Sequence, residues 1–330
     1  MSAPNKQVAL VVGASRGIGR QIAIDLAKDG YAVVVAAKST SDASTTTPFP
    51  PDPNSPASTI STVAREIRTA GGEATPLRVD TRDYASIETL VRNTLSTYGR
   101  LDVLVYNSGA IWWSSVAKTP MKRFQLMQRV NVEGLYGVVQ ACLPHFEQNN
   151  GEWAGRIIVV SPPIYSRFFR GKTAYAMGKV GMSVLTKGLA MDFVREGKDK
   201  MSVTSIWPAT AVESAATAGE DQKDLRSAHI FSDAVLAMIK APVPEVNGEL
   251  LLDEDFLRTK GVTDFEKYNL VKSSTPRRIM PKRFPDLRVE EQDDEGKRKD
   301  ITREVLALSK YSLSDTVRLL QVPKSVTAAQ

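Results

Sequence analysis

Short, unbroken apolar runs alternate with longer stretches of helical spacing through the first 257 residues. The first run is Val8-Ala9-Leu10-Val11-Val12. Five consecutive apolar residues suit a strand covered on both faces, as in a parallel sheet. Similar runs recur at Tyr31–Ala37, Ala74–Val79, Leu101–Val105, Arg156–Val160, Val203–Trp207 and Gly248–Leu252. Between them, helical periodicity is read over Gln21–Lys28, Thr59–Thr69, Tyr84–Tyr98, Pro120–Phe146, Thr173–Val194 and His229–Ile239. Strands alternating with helices predict an α/β fold of Rossmann type, doubly wound, with a seven-stranded parallel sheet flanked by helices.

The pattern changes beyond that point. Residues 1–257 are read as one domain built on this sheet and 258–330 as a C-terminal extension. Within the extension, 272–300 is charged and proline-bearing, while Ile301–Leu320 returns to helical spacing. Ser39–Ser58 is rich in Ser, Thr and Pro, so a mobile loop is expected there. Residues 210–228 resemble a lid over a substrate.

The first strand runs into Gly13-Ala14-Ser15-Arg16-Gly17-Ile18-Gly19. Glycines there allow a tight turn, a close backbone approach to an anion and a helix start packed hard on the strand. Unpaired N–H groups at that helix start suit a pyrophosphate. Past the second strand, Lys38 stands where an acid would hold the ribose 2′-hydroxyl of NAD. Lys38 and Arg16, with no acid before Asp42, favour the 2′-phosphate of NADP.

Tyr175 and Lys179 lie four residues apart in a predicted helix, hence on one face. A neighbouring ammonium favours the phenolate of a tyrosine, which suits proton exchange with a carbonyl or alcohol oxygen. Asn131 sits on the apolar face of a long helix, where an amide needs a partner.

The glycine turn, Asn107 with Gly109, Asn131, and Tyr175-Ala176-Met177-Gly178-Lys179 fall in the order found in the short-chain dehydrogenase/reductase family, which the chain resembles. Ser161-Pro162-Pro163, Trp207-Pro208-Ala209 and Leu251-Leu252-Asp253-Glu254 narrow the likeness to its hydroxysteroid dehydrogenase-like protein 2 branch, over about residues 6–290. The resemblance makes 1–257 the dinucleotide-binding catalytic domain and implies hydride transfer between a nicotinamide and a carbonyl or secondary alcohol, with NADP (NADPH) as cofactor. By the same likeness Asp80 faces the adenine, Asn107 and Gly109 line the cofactor, Lys179 bonds the nicotinamide ribose and Pro208 lies by the carboxamide. Asn131 would bend its helix and anchor a water in the proton relay.

One departure is a proline at the family's serine position, Pro162. Either Ser161 serves from a rotated backbone, or Ser166 or a water substitutes, or Tyr175 holds the carbonyl alone. If none does, the chain binds the cofactor with little catalysis. Trp112, Trp113, Tyr165, Phe168 and Phe169 flank the expected mouth, which suits an apolar small-molecule substrate.

The net charge is +6, but no basic ribbon interleaved with aromatics accompanies it, so no nucleic acid is expected. The single Cys142 and two histidines exclude an internal disulfide and argue against a metal site. No run is long enough for a membrane span, and no secretory signal is read. The chain is expected to be intracellular, cytoplasmic by default, with peroxisome or mitochondrion suggested by resemblance alone. A homo-oligomer, dimer or tetramer, is expected. The lipid-carrier domain of animal members of the branch is not expected within this sequence.

Overall fold

The computed structural model describes residues 6–148 and 151–285. Its parallel strands are β1 (Val8–Val12), β2 (Ala32–Ala37), β3 (Glu73–Arg78), β4 (Val103–Tyr106), β5 (Glu152–Val160), β6 (Lys200–Trp207) and β7 (Leu250–Leu252). They lie side by side in the order 3-2-1-4-5-6-7, and a two-residue antiparallel segment, Glu147–Gln148, extends β5 at its start. The helices are α1 (Gly17–Lys28), α2 (Ile60–Thr69), α3 (Tyr84–Tyr98), α4 (Met121–Gln128), α5 (Gly134–Cys142), α6 (Thr173–Arg195), α7 (His229–Lys240), α8 (Val243–Val246) and α9 (Asp253–Thr259).

Two cores explain why the strand sequences do not alternate. Ala9 and Val11 of β1 face a cluster built with α1, α2, α7 and α9. Val8, Leu10 and Val12 face the opposite cluster with α3, α5 and α6. A strand covered twice can leave no position polar. Truncating a fully buried side chain such as Leu10 to alanine costs about 2–5 kcal/mol. Cys142 lies in the second cluster, where burial pushes its thiol up to about 12.

Local chemistry sets the helix ends. The Asp83 carboxylate accepts from Ala85 N at the start of α3, and Gly99 closes it in the left-handed region. The Thr59 and Thr62 side chains form a reciprocal cap on α2.

Three expectations meet a different structure. The stretch Pro120–Phe146 is not one α-helix: a π turn over Arg129–Glu133 separates α4 from α5, and Leu143–Phe146 tightens to a 3₁₀ turn. Ser39–Ser58 is tied down instead of loose, because Ser58 Oγ donates to Ser15 O at 2.7 Å and Gly17 N donates to Pro53 O at 2.9 Å. Arg65 also stacks over Phe49 at 4.0 Å. The third difference is that packing continues past residue 257. Phe265 and Tyr268 join the first core, and Met280 packs with Ala209 and Leu252. The compact unit accordingly runs to Pro285. The charged segment beyond it and the helix expected over Ile301–Leu320 lie outside the described residues.

Candidate functional site

Because the strands are parallel, their C-terminal ends share one edge of the sheet. The turns after β1, β2, β3, β4, β5 and β6 all emerge there. The strand order reverses between β1 and β4, which opens a crevice at that edge. Gly13 follows β1 and Asn107 follows β4, and Asn107 Nδ2 donates to Gly13 O at 3.0 Å across the crevice.

Absent side chains make the turn possible. A Cβ on Gly19 would stand 2.2 Å from Gly13 O and 2.5 Å from Asn107 Nδ2, and one on Gly13 would stand 2.6 Å from Ser108 N. Gly17 has φ +55°, a conformation that side chains resist. Ile18 packs against the first core, and Ser15 is buried. The place of a Gly17 Cβ is flanked by Asn54 Oδ1 at 3.3 Å and Ser214 Cβ at 3.7 Å. The Ser39–Ser58 segment and the segment after β6 therefore both reach the glycine turn. Asn54 Oδ1 is buried with no hydrogen-bond partner among the described residues.

Arg16, the residue before α1, donates through Nη2 to Ser39 Oγ at 3.5 Å. The Lys38 ammonium lies 3.3 Å from Asp80, which also takes a two-pronged bond from Arg82. Hydrogen bonding from Arg82 holds the Asp80 carboxyl well below the usual carboxylate range, although its own desolvation opposes the shift. Asp80, read from sequence as facing an adenine, is thus the hub of two cations.

On the other side of the crevice stands α6. Tyr175 and Lys179 sit on successive turns and are both buried. The phenol ring lies 6.2 Å, centre to centre, from both Trp113 and Phe168. Lys179 Nζ donates to Val160 O at 2.7 Å. Gly109 adjoins both this lysine and Asn131: a Cβ there would lie in ordinary contact, 3.5 Å from Lys179 Nζ and 3.6 Å from Asn131 Oδ1. Asn131 is clamped from both ends of its amide. Its Oδ1 accepts from Ala110 N at 2.8 Å and its Nδ2 donates to Ala110 O at 3.1 Å.

The expectation that an ammonium lowers the Tyr175 phenol does not describe this arrangement. Burial pushes the phenol up, beyond the ordinary tyrosine range, and pulls Lys179 down to about 7. The lysine is turned to a neutral carbonyl, so each group answers to desolvation and the uncharged pair is favoured.

Ser161 follows β5 fully buried. Its Oγ is 2.9 Å from Ser205 Oγ, and Ser205 Oγ in turn donates to Ser161 O at 2.5 Å. Pro162 O accepts from Ser183 Oγ at 2.7 Å. The side chain of Ser166 lies outside the described residues. Pro208 leaves β6 half-buried, and the next residue is fixed by Asp253, whose Oδ1 accepts from Ala209 N at 2.8 Å. Neither Asp253, quoted above only as part of a motif, nor Asn54 was read from sequence as a site residue. The first is hidden in an acidic run, and the second in a segment read as loose.

A family model described as short chain dehydrogenase matches residues 7–48 and 54–224. The chain belongs to this family. It is 37% identical over 264 residues to hydroxysteroid dehydrogenase-like protein 2 of Danio rerio, covering 78% of this chain and 59% of that protein. It is 33% identical over 308 residues to the protein of that name from Mus musculus, covering 90% and 59%. The match thus spans less than two thirds of the length of these relatives. A solved short chain dehydrogenase from Mycobacterium thermoresistibile superposes with TM-score 0.72 at 33% identity, covering 84% of this chain and 95% of that one. Members of the family are oxidoreductases that use a nicotinamide dinucleotide. Among the described residues, no helix is long and apolar enough to cross a membrane.

Proposed function

We propose that the chain is an NADP-dependent oxidoreductase that moves a hydride between the nicotinamide and a carbonyl or secondary alcohol carbon of an apolar substrate. The observation that carries this reading is the buried Tyr175–Lys179 pair on α6, set beside Gly109 and Asn131 at the same sheet edge as the glycine turn. The residues fit a dinucleotide: Gly13 and Gly19 sit where a Cβ would collide with protein atoms, and the unpartnered amide oxygen of Asn54 beside the turn is placed to accept from a ribose hydroxyl. Gly13, Ser15, Arg16, Gly17, Ile18 and Gly19 would hold its pyrophosphate side, with the Gly17 N–H exchanging its present bond to Pro53 O for the ligand. Lys38 and Arg16 would meet the 2′-phosphate, while Asp80, Asn107, Gly109, Lys179 and Pro208 would line the remainder.

When bound, that group supplies or takes the hydride. In the reductive direction Tyr175 gives its proton to the carbonyl oxygen as the carbon accepts the hydride pair, leaving a phenolate that takes a proton back from solvent. Once the phenolate forms, its charge would favour the protonated form of Lys179, and the resulting ammonium would in turn stabilise the phenolate. Asn131 holds the main chain at Ala110 and would anchor the water path.

A second reading follows from Ser161, whose hydroxyl is engaged inside the sheet with Ser205. With Pro162 beside it, the site would then bind dinucleotide with little catalysis. Steady-state reduction of a carbonyl panel with NADPH and with NADH, comparing wild type with Tyr175→Phe, tests both readings. A large loss in the variant supports the enzyme, and equal low rates leave the binding protein.

We extend the reading to a homo-oligomer. Met177, Val184, Met191 and Val194 are exposed along α6, with Tyr136 exposed on α5, an apolar stripe that a second copy would cover. Sedimentation of Val184→Glu as a smaller species than wild type supports it.

A further inference from the structure

Lys172 lies just ahead of α6, three residues before Tyr175. Its ammonium stands 4.7 Å from the centre of the Phe168 ring and 5.5 Å from that of Trp113. These are the two rings that flank the Tyr175 phenol. The lysine is half-buried, and desolvation lowers its pKa. Lys38, Lys198, Lys200, Lys240 and Lys260 each pair with a carboxylate. Lys172 has no such ion pair among the described residues.

Aromatic faces offset part of the cost of desolvating an ammonium, but they leave its three N–H donors unfilled. Beside it Trp113 is 53% exposed, so one of the two rings is within reach of a ligand arriving from solvent. We infer that the substrate is an amphipathic acid. Its carbonyl or carbinol carbon reaches Tyr175, its apolar body lies on Trp113, and its carboxylate or phosphate meets Lys172. The inference rests on the hydride-transfer reading and adds the substrate class to it.

The test pairs a medium-chain oxo acid with its methyl ester and with a phosphate-ended analogue, using the full chain and NADPH. Wild type should prefer the acids. Lys172→Met should raise KM for the preferred acid about tenfold with kcat little changed, and should leave the ester unaffected. The larger effect between carboxylate and phosphate identifies the head group. Equal changes for acid and ester, or a wild-type preference for the ester, overturn the inference. Binding of the acid, followed by tryptophan quenching in the presence of NADP, is read separately from turnover. Binding that depends on Lys172 without turnover would sink the hydride-transfer reading and keep the acid site. Binding indifferent to Lys172 would sink the acid site whatever the turnover.

Discussion

The hydroxyl of Tyr106 stands where a side chain on Gly134 would go: a Cβ built there lies 2.6 Å from the phenolic oxygen. In an α-helix Gly134 N would bond the Val130 carbonyl, but in the π turn it donates to Arg129 O. Tyr106 donates to the released Val130 carbonyl at 2.5 Å. Asn131 is the next residue, so this pair fixes the turn that presents its amide to Ala110. Tyr106→Phe should cost about 1–3 kcal/mol by orphaning that carbonyl, and Gly134→Ala a similar amount through overpacking. The double variant should be less destabilised than the sum of the two, with about 0.5–3 kcal/mol of coupling. Urea unfolding of all four proteins checks this, and strict additivity would remove the proposed contact.

The glycine turn should discriminate between its own positions. Gly19→Ala meets main chain at 2.2 Å and must part Gly13 from Asn107, so both stability and dinucleotide affinity should fall steeply. Gly17→Ala strains φ by about 1–2 kcal/mol and presses only on the Asn54 amide, so the fold should survive with weakened NADPH binding. Thermal melts with and without NADPH, together with NADPH fluorescence titration, separate the two. Equal behaviour at the two sites would contradict the geometry.

Two buried groups should bend the pH profile of stability in opposite senses. Burial pushes Asp253 up to about 7, above the usual value near 3.9. From about pH 4 to 7 the folded chain keeps a proton that the unfolded chain has released, so this group makes stability fall as pH rises. Lys179 is held down at about 7 against about 10.4 when unfolded. Between about 7 and 10 the unfolded chain binds the extra proton, so stability rises with pH. Denaturant titrations across pH should show Asp253→Asn flattening the lower limb and Lys179→Met the upper. Asparagine keeps the acceptor for Ala209 N, whereas Asp253→Ala should lose about 1–3 kcal/mol at every pH.

Lys38→Glu sets a carboxylate against Asp80, 3.3 Å from the present ammonium, and offers an acid to a ribose hydroxyl. The ratio of kcat/KM for NADPH over NADH should drop at least about tenfold. Unchanged preference would take Lys38 out of cofactor selection.

How much of this was legible in the sequence depended on what each residue touches. Val8–Val12 declared a twice-covered strand because burial on both faces leaves a composition that nothing else requires. Tyr175 and Lys179 declared a shared helix face by spacing alone. The apolar spacing through Val130–Leu135 gave no sign of the π turn, although the resemblance put a bend at Asn131; the form of that bend depends on Tyr106, distant in sequence. The seating of Ser39–Ser58 was hidden for another reason. Ser, Thr and Pro deny a regular element, yet Pro53 O and Ser58 Oγ still find main-chain partners in the glycine turn. Phe265, Tyr268 and Met280 follow no period, so their burial could only come from the fold. Lys172 precedes its helix, and only the rings around it give it meaning.

Cys142 is the sole cysteine of the sequence, sealed in the core with its thiol far from the thiolate form. Maleimide reagents at neutral pH should therefore pass the native chain by. A reporter thiol placed on the exposed flank of the proline-bearing segment, as in Ala57→Cys, would carry the only dye. Its emission would then time the arrival and departure of the dinucleotide directly, without reference to turnover.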